Sequence, residues 1–126
     1  MTNLLLDTNV FLWYFWGSGR ITSIKSLIES EVTNVYISTV SWWEITIKLR
    51  AGKLNLNLEE LRLHSEKYAF LELPINNQYI KTCLDLPAIH KDPFDHMLLA
   101  QAIHSPMRLI TGDPILAEYS SLVMVI

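Results

Sequence analysis

The sequence predicts an α/β fold, a mostly parallel sheet with helices on both faces. Three observations predict it. Short apolar runs alternate with stretches of helical period from one end of the chain to the other. Half of the residues are hydrophobic and mean hydropathy is +0.22, enough for a sheet buried on both sides with some apolar surface left for a partner. The length of 126 residues suits one core, so residues 1–126 are expected to form a single domain.

Residues 4–6 read as a buried strand and residues 10–16 as a helix or its beginning. Ile24, Leu27 and Ile28 are spaced i, i+3, i+4, which predicts a surface helix over residues 22–31. Residues 35–37 form a second strand. Residues 42–50 form a helix stopped by Gly52, with Lys48 and Arg50 facing the negative end of its dipole. Residues 58–68 are the next helix, and Leu71–Leu73 is a strand ended by Pro74. Ile80, Cys83 and Leu84 mark a helix closed before Pro87. Pro93–His104 is a helix whose consecutive apolar residues 97–100 call for burial on several sides. Residues 109–110 and Val123–Val125 are the last strands, with a short helix after Pro114 between them. Ligands of such sheets sit beyond the carboxyl ends of the strands.

The formal charge is −3, so the totals lack the basic excess that marks nucleic-acid binding. Binding a polyanion would require metal ions or a local basic patch. Cys83 is the single cysteine, which rules out an intrachain disulfide and a thiolate zinc site; its apolar neighbours predict a buried thiol. His64, His90 and His104 have no ligand-like spacing with one another. No apolar run reaches the ~18 residues of a membrane-spanning helix. No basic segment precedes the apolar start, so no signal peptide is expected and the protein reads as cytoplasmic.

Four acids fall where this fold would gather them. Asp7 follows the first strand, and Asp113 follows the strand at residues 109–110. Glu44 falls in the first turn of the expected helix after the second strand, and Asp95 in the first turn of the helix opened by Asp92-Pro93. Each has an ordinary explanation. Acids cap free N–H groups at helix starts and oppose the dipole's positive end. Ser41 and Glu44 fit a capping box, Glu44 can pair with Lys48 at i+4, and Asp92-Pro93 and Asp113-Pro114 both read as a cap followed by proline. Taken together, carboxylates crowded at one edge repel one another unless a cation neutralises them. An oxygen-only set without cysteine favours Mg²⁺ or Mn²⁺, and such a site suits metal-assisted phosphodiester hydrolysis.

Four ordered motifs carry a family resemblance. They are Leu4-Leu5-Leu6-Asp7-Thr8-Asn9; residues 38–48 around Ser41-Trp42-Trp43-Glu44, followed by Gly52-Lys53-Leu54; residues 90–102 around Asp92-Pro93-Phe94-Asp95; and Leu109-Ile110-Thr111-Gly112-Asp113. They span essentially the whole chain, which resembles PIN-domain proteins and, within them, the VapC-type toxins of bacterial toxin–antitoxin pairs. The resemblance implies a three-layer α/β/α sandwich with a mostly parallel, about five-stranded sheet. It implies that Asp7, Glu44, Asp95 and Asp113 bind Mg²⁺ or Mn²⁺, with Thr8, Asn9 and Thr111 supporting them and Asp92 a fifth acid or the cap of its helix. It further implies cleavage of single-stranded RNA, homodimers, and inhibition by a VapB-type antitoxin. Asp7 and Asp95 are then expected to hold the ion directly, and Glu44 and Asp113 to complete its shell or hold a second ion.

The chain departs from the family at two positions. Asn9 stands where the family often has His, and His96 where it often has Arg. His96 replaces that arginine as an RNA contact only when protonated. Lys48, one turn beyond Glu44, is the best cationic candidate for facing the site, ahead of Arg50, Lys53, Lys91 and Arg108. Trp13 and one of Trp42 and Trp43 are expected to pack, leaving the other exposed near the cleft. Three rival readings remain: a stand-alone RNA-processing nuclease, a degenerate scaffold that only binds a partner, and a phosphatase with a nucleophilic Asp7. The phosphatase requires a second Asp where this chain has Asn9.

Overall fold

Leu4, Leu5 and Leu6 are all fully buried, and successive strand positions point to opposite faces, so both faces of their strand must be covered. In the computed structural model, which describes residues 2–126, they lie on β1 (Thr2–Leu6). The other strands are β2 (Thr33–Ser38), β3 (Leu71–Leu73), β4 (Arg108–Thr111) and β5 (Val123–Val125). Their order across the sheet is β3-β2-β1-β4-β5 and every pairing is parallel. Leu6 is registered with Ile37 on one side and Ile110 on the other. The three central strands therefore end together.

The helices are α1 (Thr8–Phe15), α2 (Lys25–Ile28), α3 (Thr39–Arg50), α4 (Leu58–Lys67), α5 (Asn77–Leu84) and α6 (Pro93–His104), with 3₁₀ turns at Gly19–Ile21 and Pro114–Glu118. Leu4 and Leu6 join Val35, Ile37 and Ile110 in a core closed by α1, α2 and α4 through Phe11, Ile28 and Leu61. Leu5 and Leu109 face the opposite way, against Leu98, Leu99 and Ala102 of α6 and Tyr79 of α5. The result is the α/β/α sandwich that the sequence predicts. Leu99→Ala, at a fully buried position, is expected to cost about 2–5 kcal/mol, read from the denaturant midpoint of unfolding. No helix among the described residues is long and apolar enough to cross a membrane.

Two local expectations are corrected. The helix over residues 22–31 is replaced by the Gly19–Ile21 3₁₀ turn and the single turn of α2. Ile24 and Ile28 are buried and Leu27 partly so, as the spacing requires, but Ile24 starts α2 without a side-chain cap and the Thr22 hydroxyl bonds back to the Gly19 carbonyl (2.7 Å). Apolar spacing thus specified the buried face but not one continuous helix. The second correction concerns α3. Ser38, not Ser41, is its cap and accepts from the Val40 N–H at 3.1 Å. Glu44 therefore lies in the second turn, beyond the reach of a capping box, and the completely buried Ser41 accepts a hydrogen bond from the Thr8 hydroxyl at 2.9 Å. At its other end α3 stops at Gly52, whose φ of +70° suits glycine; the Lys53 N–H reaches the Lys48 carbonyl (2.9 Å) and the Gly52 N–H reaches that of Leu49 (3.2 Å).

Candidate active site

The chain leaves β1 at Leu6 and turns at once into α1, and Asp7 makes the turn. Its Oδ1 accepts from the Val10 N–H (2.8 Å), capping α1, while Oδ2 accepts from the Thr111 hydroxyl (2.5 Å) at the end of the neighbouring β4. Thr111 Oγ1 in turn accepts from the Asp113 N–H (3.1 Å). Asp113 caps the following 3₁₀ turn through Ile115 N–H (3.0 Å), and Asp92 caps α6 through the N–H groups of Phe94 and Asp95. The helix-cap explanation is correct for Asp7, Asp92 and Asp113. It does not apply to Glu44, whose Oε2 instead meets Lys48 Nζ at 3.1 Å.

These acids line one cleft. It has a volume of 400 Å³, lies beyond the carboxyl ends of the central strands, and is walled by Asp7, Glu44, Asp92, Asp95 and Asp113 together with Thr8, Asn9 and Lys48. Asp7 is 5% exposed. Its carboxyl is pushed up to about 6, first by burial and then by the charges of Asp95 and Glu44, against the hydrogen bonds from Thr111 and Val10. Asp95 is also raised, mainly by burial, with Asp92 and Glu44 adding to the effect and His90 opposing it. The carboxylates thus destabilise one another's charged forms, which is what a divalent cation would relieve.

His90 was missing from the sequence-based set. Its Nε2 lies 2.9 Å from Asp95 Oδ2, and His90, Asp95 and Asp113 each place one donor atom within 4.8 Å of the others. The loop carrying it is held on both sides: the His90 N–H donates to the Tyr119 hydroxyl (2.8 Å), and His96 Nε2 donates to the His90 carbonyl (2.5 Å). Oxygen donors with a single imidazole fit a hard or borderline divalent ion, Mn²⁺ as readily as Mg²⁺.

A model of the PIN domain matches residues 4–122. The chain belongs to the PIN domain family. Ribonuclease VapC22 of Mycobacterium tuberculosis (strain ATCC 25618 / H37Rv) is 24% identical over 115 residues, covering 90% of this chain and 88% of that protein. Among solved structures, VapBC2 from Rickettsia felis bound to a promoter DNA fragment matches with a TM-score of 0.70 at 11% identity, over 99% of this chain and 98% of that one. DNA-bound VapBC from Salmonella typhimurium matches with a TM-score of 0.69 at 18% identity, over 100% and 98%. At these identities the structural likeness is one of fold.

Other expected contacts of this PIN domain lie elsewhere. His96 is not among the residues lining the cleft; its ring holds the His90 loop and stands edge-on to Tyr119. Trp42 packs edge-on to Phe11, while Trp43 is exposed beside Phe94. Trp13 packs against the core as expected, and its ring also lines the cleft under Arg20, a cation the sequence did not single out. Of the basic residues proposed as a rim, Lys48 lines the cleft and Arg50, Lys53, Lys91 and Arg108 do not. Cys83 is half-buried with its thiol against the His96 carbonyl (3.7 Å), and burial pushes its pKa up, away from the reactive thiolate. A larger groove, of 670 Å³, runs along α4 past Trp42, Leu58 and Phe70; of its three acids, Glu59, Glu66 and Glu72, the first two are paired to Arg62.

Proposed function

We propose that this PIN domain is a divalent-metal-dependent endoribonuclease that cleaves single-stranded or loop RNA, acting as the toxin of a toxin–antitoxin pair that inhibits translation or growth. The observation that carries the reading is the convergence of Asp7, Glu44, Asp95 and Asp113 from four distant parts of the sequence in one cleft, with the charge of Asp7 destabilised by burial and, secondarily, by its neighbours. Asp7 and Asp95 would hold Mg²⁺ or Mn²⁺, with Glu44, Asp113 and His90 around them. When bound, the ion supplies a water of lowered pKa and charge stabilisation for the phosphate.

The protein's own groups have separate tasks. Thr111 and the Val10 N–H fix both oxygens of Asp7, so the carboxylate is oriented before any ligand arrives. Thr8, tied to the buried Ser41, locks the start of α1 against α3. Lys48 orients Glu44. The names of the similar proteins, a ribonuclease and two VapBC complexes, support the toxin reading and a VapB-type antitoxin as partner. A homodimer acting in the cytoplasm completes the proposal. The exposed Trp43, Leu58, Leu63 and Leu71 supply apolar surface for such partners.

The test is cleavage of a panel of structured RNAs by the purified protein with Mg²⁺, Mn²⁺ or EDTA. Cuts in unpaired segments that need either ion and stop with EDTA are expected. Equal cleavage in EDTA would remove the metal from the mechanism, and no cleavage of any RNA would favour a scaffold that only binds a partner.

A further inference from the structure

We infer that Arg20, stacked on Trp13 at the mouth of the cleft, is a binding subsite for a backbone phosphate of the RNA flanking the cleavage position. This rests on the RNA-cleavage reading above and assigns the cation that reading lacks.

Five carboxylates and two cations line the cleft. Lys48 is committed to Glu44. Arg20 has no carboxylate within 4.0 Å among the described residues, although it faces the same acids. The reason lies beneath it. Its guanidinium carbon sits 3.8 Å from the centre of the Trp13 ring, and the Ser18 hydroxyl accepts from its backbone N–H (3.1 Å), fixing the turn that presents it. Trp13 is fixed in its turn: a Cβ on Gly112 would fall 2.5 Å from Trp13 Cη2, so the indole occupies space that only glycine leaves open, one residue before Asp113.

Stacking on an aromatic face holds a guanidinium in place without engaging the N–H groups at its edge. That edge fits two phosphate oxygens at once. A divalent ion held by these acids would neutralise the centre of the cleft, but the neighbouring phosphates of an RNA strand would still meet a chain of net charge −3. An arginine kept out of ion pairs beside the acids meets that need, and Trp13 and Gly112 keep it there.

The test measures binding of short single-stranded RNAs of several sequences by fluorescence anisotropy over a range of KCl. Asp7→Asn serves as the parent so that the RNA stays intact. Adding Arg20→Gln is expected to weaken binding equally for all sequences and to make the slope of log K against log salt shallower by about 0.7, the value of one phosphate contact on a single strand. Arg20→Lys keeps the charge and should retain the parental slope. In the otherwise wild-type enzyme, Arg20→Gln should raise KM and leave kcat unchanged. If the parent binds RNA with a steep salt slope and Arg20→Gln keeps that slope, Arg20 merely packs on Trp13 and the inference fails alone. If the parent shows no salt-dependent RNA binding and the wild-type enzyme cuts no RNA with Mg²⁺ or Mn²⁺, the RNA reading falls with it; if the parent does not bind but the wild-type enzyme cuts, an unchanged KM in Arg20→Gln overturns the inference alone.

Discussion

Asp7→Asn is expected to lower RNA cleavage by about 10²–10³-fold or more, while making the metal-free protein more stable at neutral pH. The two effects have one cause. Burial and the charges of Asp95 and Glu44 raise the Asp7 carboxyl from 3.8 to about 6 in the fold. Between those values the folded protein keeps a proton that the unfolded chain has already lost. The unfolded state then binds fewer protons, so stability falls as pH rises through that window and stays lower above it. The difference corresponds to about 3 kcal/mol at pH 7. Asparagine carries no charge and escapes it.

Asparagine also has one oxygen where Asp7 uses two, so the Thr111 hydroxyl loses its acceptor, at a cost of about 1 kcal/mol. The net expectation is a gain of about 2 kcal/mol at pH 7 and a flatter profile between pH 4 and 6, read from urea unfolding in EDTA. An active Asp7→Asn enzyme would remove Asp7 from the site. An inactive one with the wild-type pH profile would mean that burial and neighbouring charge do not hold Asp7 at high energy.

The parts of this arrangement that were legible in the sequence are those fixed by local chemistry. The helix Pro93–His104 has the bounds its sequence predicts because Asp92 caps it and Pro93 sits where a missing N–H costs nothing. Leu4-Leu5-Leu6, a short unbroken apolar run ended by Asp7, reads as a strand covered on both faces, and so pointed to the parallel sheet. Where two local solutions competed, the sequence misled. Ser38 and Ser41 both suit a cap. The end of β2 chose Ser38, and that choice moved Glu44 from a helix start into the body of α3. His90 and Arg20 were illegible for another reason. Their places depend on contacts made across the fold, His90 through Tyr119 and His96, Arg20 through the indole of Trp13. The Gly112 beside Asp113 was the one available signal for the latter, and it reads as a simple turn residue until Trp13 is seen to lie against it.

Mn²⁺ or Mg²⁺ at about a hundred times its Kd is expected to stabilise the wild-type protein by about 2.7 kcal/mol at pH 7. For a chain of this size that corresponds to a rise in Tm of roughly 10 °C. The gain should shrink below pH 6. An ion held by Asp7 must displace its proton, so with that carboxyl at about 6 the apparent affinity is expected to fall about tenfold for each further pH unit. Asp7→Asn should lose most of the response at every pH, although Asp95, Asp113 and His90 remain. Thermal melts of both proteins at pH 5 and 7, with the ion and with EDTA, separate a specific site from general screening. The exposed pairs of Arg62 with Glu59 and Glu66 answer to salt alike in both proteins and serve as the internal control. If the ion stabilises both proteins equally at both pH values, it is not binding at Asp7. Asp7, Asp92 and Asp113 would then keep only the helix-capping roles they already have, and Glu44 only its pairing with Lys48.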